Sequence, residues 1–367
     1  MTRLRSIGWL VAVNILVTAL LLELVLRVQQ QVGPLYDLDL RREAVLVGLS
    51  DELNHVQLPW ADWDSNGIRR MDEPNSESCL TKLLFMGDSF MEGLGPKDTV
   101  PYHARATLSR SWGAGVCVFN AGTSSYSPSI FIPQAKKLIP LLRPDIVIID
   151  VDETDIYDDW YRYRELVIRD NAGSITAVRR TPVTAQFQQG LVDSTDKTLY
   201  LHRLISKLYF TRITYPSAFA RYTKDRPSDL FVLSRISESE AQKIYADQIA
   251  YFEATVDDLT KSVLRLAGGP ERLVYIHHPH LEHLKADGAS FNNVVSAVLR
   301  KVASRHHVRY YDATDDLKVQ LGNAPENYYI PNDMHFNEAG LRAYAAAVAR
   351  YLTATTPSAM TSSSRAQ

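Results

Sequence analysis

Apolar residues fall along this chain in three rhythms, and each predicts a different kind of element. Residues 7–28 are almost continuously apolar, with Asn14 as a mild interruption. At 1.5 Å per residue, about 20 such residues match a hydrocarbon layer of about 30 Å. Shorter apolar runs bounded by polar residues or glycine, at 83–86, 116–119, 145–151, 272–276 and 308–311, read as buried strands. Patterns with a period near 3.6 predict helices at 99–108, 129–142, 238–266, 291–304 and 337–352. Strands alternating with helices imply a parallel sheet with right-handed crossovers, a three-layer α/β/α domain with five strands.

The alternation breaks over 156–240, which reads as an insertion between the third and fourth strands. Within it, 161–183 alternates around Asp170-Asn171-Ala172-Gly173, the mark of a hairpin. Residues 199–222 follow a helical pattern rich in aromatic and basic side chains. A lid, a surface lying on a membrane and a packed subdomain all suit that segment. Residues 31–79 form a polar approach with a short helix near 41–49 and a turn-rich stretch before Cys79. The resulting division is 1–30 as an anchor, 31–79 as approach, 80–353 as the main domain, and 354–367 as a disordered Ser/Thr-rich tail.

The apolar N-terminus has two readings. Arg3 and Arg5 precede it as they would precede the core of a signal peptide. The run is long, however, and no small-x-small cleavage site follows, which favours an uncleaved transmembrane helix. Glu23 and Arg27 lie four apart on one helix face near its far end, where they can pair. The short basic tail favours an inside N-terminus with the rest exported, although Arg27, Arg41 and Arg42 weaken that bias. The expected location is a bacterial inner membrane, single-pass, with the domain periplasmic or extracellular.

Charge adds an exclusion. With 40 basic and 42 acidic side chains and no dense basic run, nucleic acid is not an expected partner. Two cysteines, Cys79 and Cys117, are too few for a disulfide framework and lack metal-site spacing. Whether they bridge is left open.

The candidate chemistry begins at Gly87-Asp88-Ser89, directly after the first strand of the domain. A serine there sits on the rim where α/β sheets bind ligands. A helical turn after it would aim free N–H groups at whatever the hydroxyl attacks. A serine hydroxyl is a weak nucleophile until a base takes its proton. His335, in a loop after the last strand, can be that base, and Asp333 is near enough to hold its Nδ1 from one tight turn. The catalytic candidates are therefore Ser89, Asp333 and His335.

With these blocks in place, the chain resembles the SGNH (GDSL-type) hydrolases from about residue 66 to 351. Gly87-Asp88-Ser89 resembles the first block, Asn120-Ala121-Gly122 the second, and Asp333-Met334-His335-Phe336-Asn337 the last. SNGIRRMDEP, from Ser65, is similar to a lead-in of membrane-anchored bacterial members. The resemblance implies a flavodoxin-like strand order and an oxyanion hole built from the backbone N–H groups of Ser89 and Gly122. The third block departs from the family: Asp152-Glu153-Thr154-Asp155 puts Thr154 where an asparagine normally completes that hole. Thr154 is the expected third donor. The last block departs as well, with Asn332 at the usual aspartate position and Asp333 one residue closer to the histidine.

Two polar clusters remain. Asp150, Asp152, Glu153, Asp155, Asp158 and Asp159 read as a solvated face or as partners of Arg162 and Arg164. His277, His278 and His280 leave the fourth strand at the same sheet edge, but their spacing fits no common zinc pattern. Neither a metal nor a cofactor is expected. The expected function is an extracytoplasmic serine esterase acting on an O-acyl, above all O-acetyl, group of a small molecule or envelope polysaccharide. The alternatives are an envelope polysaccharide O-acetyltransferase and a non-catalytic glycan-binding or assembly protein on the same shell.

Overall fold

The computed structural model describes residues 2–32, 40, 47–58, 62–71, 79–113, 115–180, 197–209, 212, 237–285 and 293–357. Two compact units emerge: Ser50–Arg179 with Arg226–Gln367, and Met1–Leu49 with Arg180–Asp225. The larger unit holds five parallel strands: β1 (Thr81–Met86), β2 (Val116–Asn120), β3 (Ile146–Asp150), β4 (Leu273–His277) and β5 (Arg309–Asp312). Their order is β2-β1-β3-β4-β5, the flavodoxin-like arrangement. Connections leave β1 and β3 in opposite directions along the sheet, so a crevice opens beyond their carboxyl ends.

Side-chain alternation along these strands makes two cores. Leu83, Phe85, Ile146, Ile148, Val274 and Ile276 face one way and pack with Ala104, Leu108, Tyr344 and Val348. Those partners lie on the helices Val100–Trp112 and Glu338–Thr355. Leu84, Met86, Val147, Ile149 and Tyr275 face the other way, against Phe131, Ala135, Phe252, Val256 and Leu299. These come from the helices Pro128–Leu142, Ala246–Ala267 and Val294–His306. Each fully buried aliphatic side chain contributes about 1.5–3 kcal/mol, so continuous apolar runs, unlike alternating ones, suit strands covered on both faces. Numbered in chain order, α1 is Ser89–Glu92, α2 Val100–Trp112, α3 Pro128–Leu142, α4 Ala246–Ala267, α5 Val294–His306 and α6 Glu338–Thr355. Thr99 caps α2 by accepting the Tyr102 N–H at 3.1 Å, and Asn337 caps α6 by accepting that of Gly340 at 3.1 Å.

Several expected boundaries shift. The helix expected at 238–266 is broken at Tyr245 into Glu238–Ile244 and α4. The hairpin is confined to Val167–Arg169 and Ile175–Val178, closed by a turn in which Gly173 takes φ +83°. Residues ahead of it form the wide-turned Asp158–Tyr163 segment. Val47–Leu49 is extended rather than helical, with helix-disfavouring Gly48 at its centre; 41–46 lie outside the described residues. The helix expected at 199–222 is present as Tyr200–Tyr209, and nearly all of its remainder lies outside them. At the other end, α6 continues to Thr355, past the expected start of the tail.

In the smaller unit the helix Thr2–Val32 contains Ile7–Val32, 26 residues whose most apolar 18-residue window has mean hydropathy 2.4, long and apolar enough to cross a membrane.

Cys79 and Cys117 are bonded, with Cα atoms 5.6 Å apart. The bridge joins the residue two before β1 to β2, whose register pairs Lys82 with Cys117. Closing a 38-residue separation removes unfolded-chain entropy worth about 4 kcal/mol. Replacing both cysteines by serine should lower unfolding stability in urea by a few kcal/mol, roughly 2–4, with dithiothreitol reproducing the loss in the native chain.

Candidate active site

The nucleophile candidate is carried by a single turn of helix. β1 ends at Met86, and Asp88 caps α1 by accepting the Phe90 N–H at 2.9 Å. One turn leaves carbonyls without intrahelical partners, and neighbours supply them. The side chain of Asn120, at the end of β2, donates to Met91 O at 2.8 Å. Arg69, only 5% exposed, donates to Glu92 O and to Gly93 O, the latter at 3.2 Å. Its guanidinium also lies 4.5 Å from the Trp63 ring centre. Arg69 belongs to the SNGIRRM stretch; no spacing rule gave it a role in the sequence.

On this platform Ser89 Oγ lies 2.7 Å from His335 Nε2. Across the ring, His335 Nδ1 lies 2.5 Å from Asp333 Oδ1, which also accepts the His335 backbone N–H at 3.0 Å. Slight burial pushes the Asp333 carboxyl up, but the hydrogen bonds from His335 outweigh it and hold the group below the usual carboxylate range. The short Asp-x-His spacing closes because Asn332 takes φ +61°, a left-handed conformation that asparagine tolerates. The turn is tied by Asp333 N–H to Ile330 O at 3.0 Å and Ile330 N–H to His335 O at 2.9 Å. Phe90 packs against the His335 ring, centroids 4.8 Å apart. A cleft of about 230 Å³ opens over Ser89 and His335, with Leu94, Ser124 and Ile330 among its walls.

The expected oxyanion donors are not all brought to this cleft. The Gly122 N–H donates to Asn120 Oδ1 at 2.9 Å. Its close approach serves packing instead, since a Cβ there would meet Glu92 N at 2.4 Å and Met91 C at 2.5 Å. Thr154 Oγ1 donates to Asp152 Oδ1 at 2.6 Å, and its N–H donates to the same oxygen at 2.9 Å. Both expectations are therefore corrected: in each case a neighbouring side-chain oxygen has claimed the hydrogen. The Ser89 N–H, in the first turn of α1, is the remaining donor of the expected three.

The acidic cluster is not a solvated face. Asp150, Asp152, Glu153, Asp155 and Asp159 are all buried. Arg162 pairs with Asp158 at 3.0 Å, as expected, but Arg164 pairs with Glu165. Asp159 Oδ1 accepts the Ser127 hydroxyl at 2.5 Å and the Ser129 N–H at 2.9 Å. Asp155 Oδ2 accepts the Asp152 N–H at 3.0 Å, and the histidines partner Asp150, Asp152 and Glu153. His278 Nδ1 lies 2.9 Å from Asp150 Oδ2 and its Nε2 3.3 Å from Asp152 Oδ2. Burial disfavours its charge, yet Asp150 and Asp152 prevail and raise its pKa to about 10. His277 lies between Glu153 at 2.9 Å and Asp312 at 3.4 Å. There too the carboxylates, Glu153 foremost, overcome burial and raise the pKa well above the ordinary value. Phe90 covers the group, its ring 3.8 Å from that of His278.

Asp152, His278 and His280 place one ligand atom each within 4.8 Å of one another. All three side chains are engaged with one another or with their neighbours. His280 Nε2 lies 2.9 Å from Asp152 Oδ2, while the same ring accepts the His283 backbone N–H. The His280 ring thus has a hydrogen-bond partner at each nitrogen, and His278 has a carboxylate at each, Asp150 at Nδ1 and Asp152 at Nε2.

Neither a family model nor a curated protein matches the sequence. Among solved structures, the chain is similar to a lipase/acylhydrolase from Enterococcus faecalis at 11% identity, covering 75% of this chain and 96% of that one, TM-score 0.41. An acetylxylan esterase from Geobacillus stearothermophilus, as a catalytic mutant, matches at 13% identity over 74% and 93% of the two chains, TM-score 0.43. An α/β hydrolase from the Lake Arreo metagenome matches at 16% identity over 76% and 95%, TM-score 0.41. Likeness at this level is loose, and the chemistry rests on the side-chain geometry.

Two outcomes are expected from this geometry. Thr154→Val removes a hydroxyl committed to Asp152, so it should leave kcat nearly unchanged while costing about 1–3 kcal/mol of stability. His278 is raised above its unfolded pKa of 6.5 to about 10, so its contribution is complete below pH 6.5 and drains away as pH climbs toward 10. Melting temperature followed across that window should fall for the native chain and fall less steeply for His278→Gln.

Proposed function

We propose that this protein is a membrane-anchored serine ester hydrolase of the SGNH type, acting outside the cytoplasm on an O-acyl, above all O-acetyl, ester. The observation that carries the reading is the contact of Ser89 Oγ with His335 Nε2 at 2.7 Å, made between residues 246 apart in sequence. His335 takes the serine proton as Oγ attacks the acyl carbonyl, and Asp333 holds the ring through Nδ1 and steadies the imidazolium. Charge then develops on the carbonyl oxygen, where the Ser89 N–H and the positive end of α1 meet it. Collapse of the tetrahedral intermediate expels the alkoxide, which takes the proton from His335 and leaves Ser89 acylated. Water entering the open cleft repeats the sequence and releases the acid.

A donor-poor oxyanion hole makes this a slow enzyme, since each missing donor costs about 3 kcal/mol, or a hundredfold or more in rate. The commitment of the Gly122 and Thr154 hydrogens supports a second reading, a glycan-binding protein that retains the hydrolase shell. The intact contact between serine, histidine and aspartate supports the first. For location, the apolar Ile7–Val32 helix supports a membrane anchor, and the Cys79–Cys117 bridge supports an oxidising compartment.

Short-chain aryl esters test the chemistry. Ser89→Ala should lower kcat by a factor on the order of 10⁶, with Asp333→Asn costing about 10⁴. A fluorophosphonate should label the native chain at Ser89 and leave the alanine variant unlabelled. Unchanged turnover in Ser89→Ala would remove that residue as nucleophile, and an unlabelled native chain would favour the binding-protein reading.

A further inference from the structure

The smaller unit contains a contact that neither the fold nor the catalytic proposal uses. The Thr2–Val32 helix carries no ionisable side chain from Ile7 to Leu22, and then Glu23 appears. That stretch is roughly 24 Å long at 1.5 Å per residue, most of a hydrocarbon core. Glu23 is fully engaged. Its Oε1 accepts the Tyr200 N–H at 3.1 Å and the Arg27 Nε–H at 2.8 Å, and its Oε2 accepts the Leu201 N–H at 2.8 Å. The carboxylate therefore satisfies orphan donors at the start of the Tyr200–Tyr209 helix, distant by 177 and 178 residues in sequence.

Further bonds hold the same junction. Arg27 donates to Thr198 O at 3.2 Å, and its guanidinium lies 5.4 Å from the Tyr200 ring centre. Arg203 lies 4.7 Å from that ring and donates to Lys197 O at 2.6 Å and Leu40 O at 3.0 Å. The Tyr200–Tyr209 helix is thus pinned at the level where the long apolar stretch first meets charge.

Its faces are sharply divided. Leu201, Leu204, Ile205 and Leu208 follow the i, i+3, i+4, i+7 spacing of one stripe. His202, Arg203, Ser206 and Lys207 occupy the other side, and the helix has no acidic residue. Within the stripe Ile205 is 59% and Leu208 46% exposed. An exposed apolar stripe backed by basic side chains suits a surface that is apolar below and anionic above. The adjoining apolar helix places such a surface at the same level.

We propose that the Tyr200–Tyr209 helix lies in the plane of a phospholipid interface, its Leu/Ile stripe among the acyl chains and Arg203 and Lys207 among anionic headgroups. The Glu23 carboxylate fixes its depth. The proposal rests on the membrane anchor put forward above, and the test separates the two. Because both native cysteines are bridged, single cysteines at Leu16, Ile205 and Lys207 can be labelled with an environment-sensitive fluorophore in the full chain. The labelled chains are reconstituted in vesicles of equimolar phosphatidylcholine and phosphatidylglycerol with no other protein, so shielding can come only from lipid.

Ile205→Cys should give blue-shifted emission, quenched by nitroxide-bearing lipid and not by aqueous iodide. Lys207→Cys should be quenched by iodide and Leu16→Cys by lipid alone. Adding Glu23→Ala should open the Ile205 label to iodide while leaving the Leu16 label shielded. An Ile205 label as open to iodide as the Lys207 label, with Leu16 still shielded, would overturn the interfacial helix and leave the anchor standing. Iodide access at Leu16 would overturn both.

Discussion

A single turn of helix cannot stand alone, because nucleation fixes several residues for one hydrogen bond. That constraint governs the larger unit of this molecule. Everything the cleft can do requires Ser89 to be held on α1, and α1 is held from outside by Arg69, Asn120 and the bare backbone of Gly122. The residues that grip the helix come from before β1, from the end of β2 and from the turn that follows it. Ser89 is therefore placed by the sheet, and the Asn332 turn then brings His335 to meet it.

Beneath that platform lies a second constraint, the cost of burying charge. A carboxylate removed from water is tolerable only when paired and hydrogen-bonded. Asp150, Asp152 and Glu153 meet that condition through His277, His278, His280 and His283, with Tyr344 adding a hydroxyl to Asp150 at 2.9 Å. Breaking such a network by removing one member strands the others. Phe90 shares faces with both His278 and His335, so the network and His335 rest against one ring.

Much of this was legible in the sequence because the relevant signals are local. Five apolar runs marked five strands, the intervening periods marked the covering helices, and the Ser89 and Asp333–His335 blocks marked two distant segments that meet in one cleft. What escaped depended on pairings with no local signature. Asp150 and its neighbours looked like a surface until β4 delivered His277 and His278 beside them. Thr154 looked like a donor aimed at substrate, but Asp152, two residues earlier, takes both of its hydrogens. Arg69 gave no sign that it would close the far end of a helix more than a dozen residues on. The adjacency of β1 and β2 was legible, but the bridge between Cys79 and Cys117 awaited their Cα separation of 5.6 Å.

That bridge has a consequence for how the protein must be made. β2 is an outer strand of its sheet, and among the described residues its outer side is met only at Asn120, whose carbonyl accepts the Arg69 N–H at 2.8 Å; the rest is the kind of border along which chains stick together. The disulfide fastens that border to the start of β1. A reducing cytosol would leave this border without its covalent tie, whereas a secretion route with a thiol oxidase would supply it.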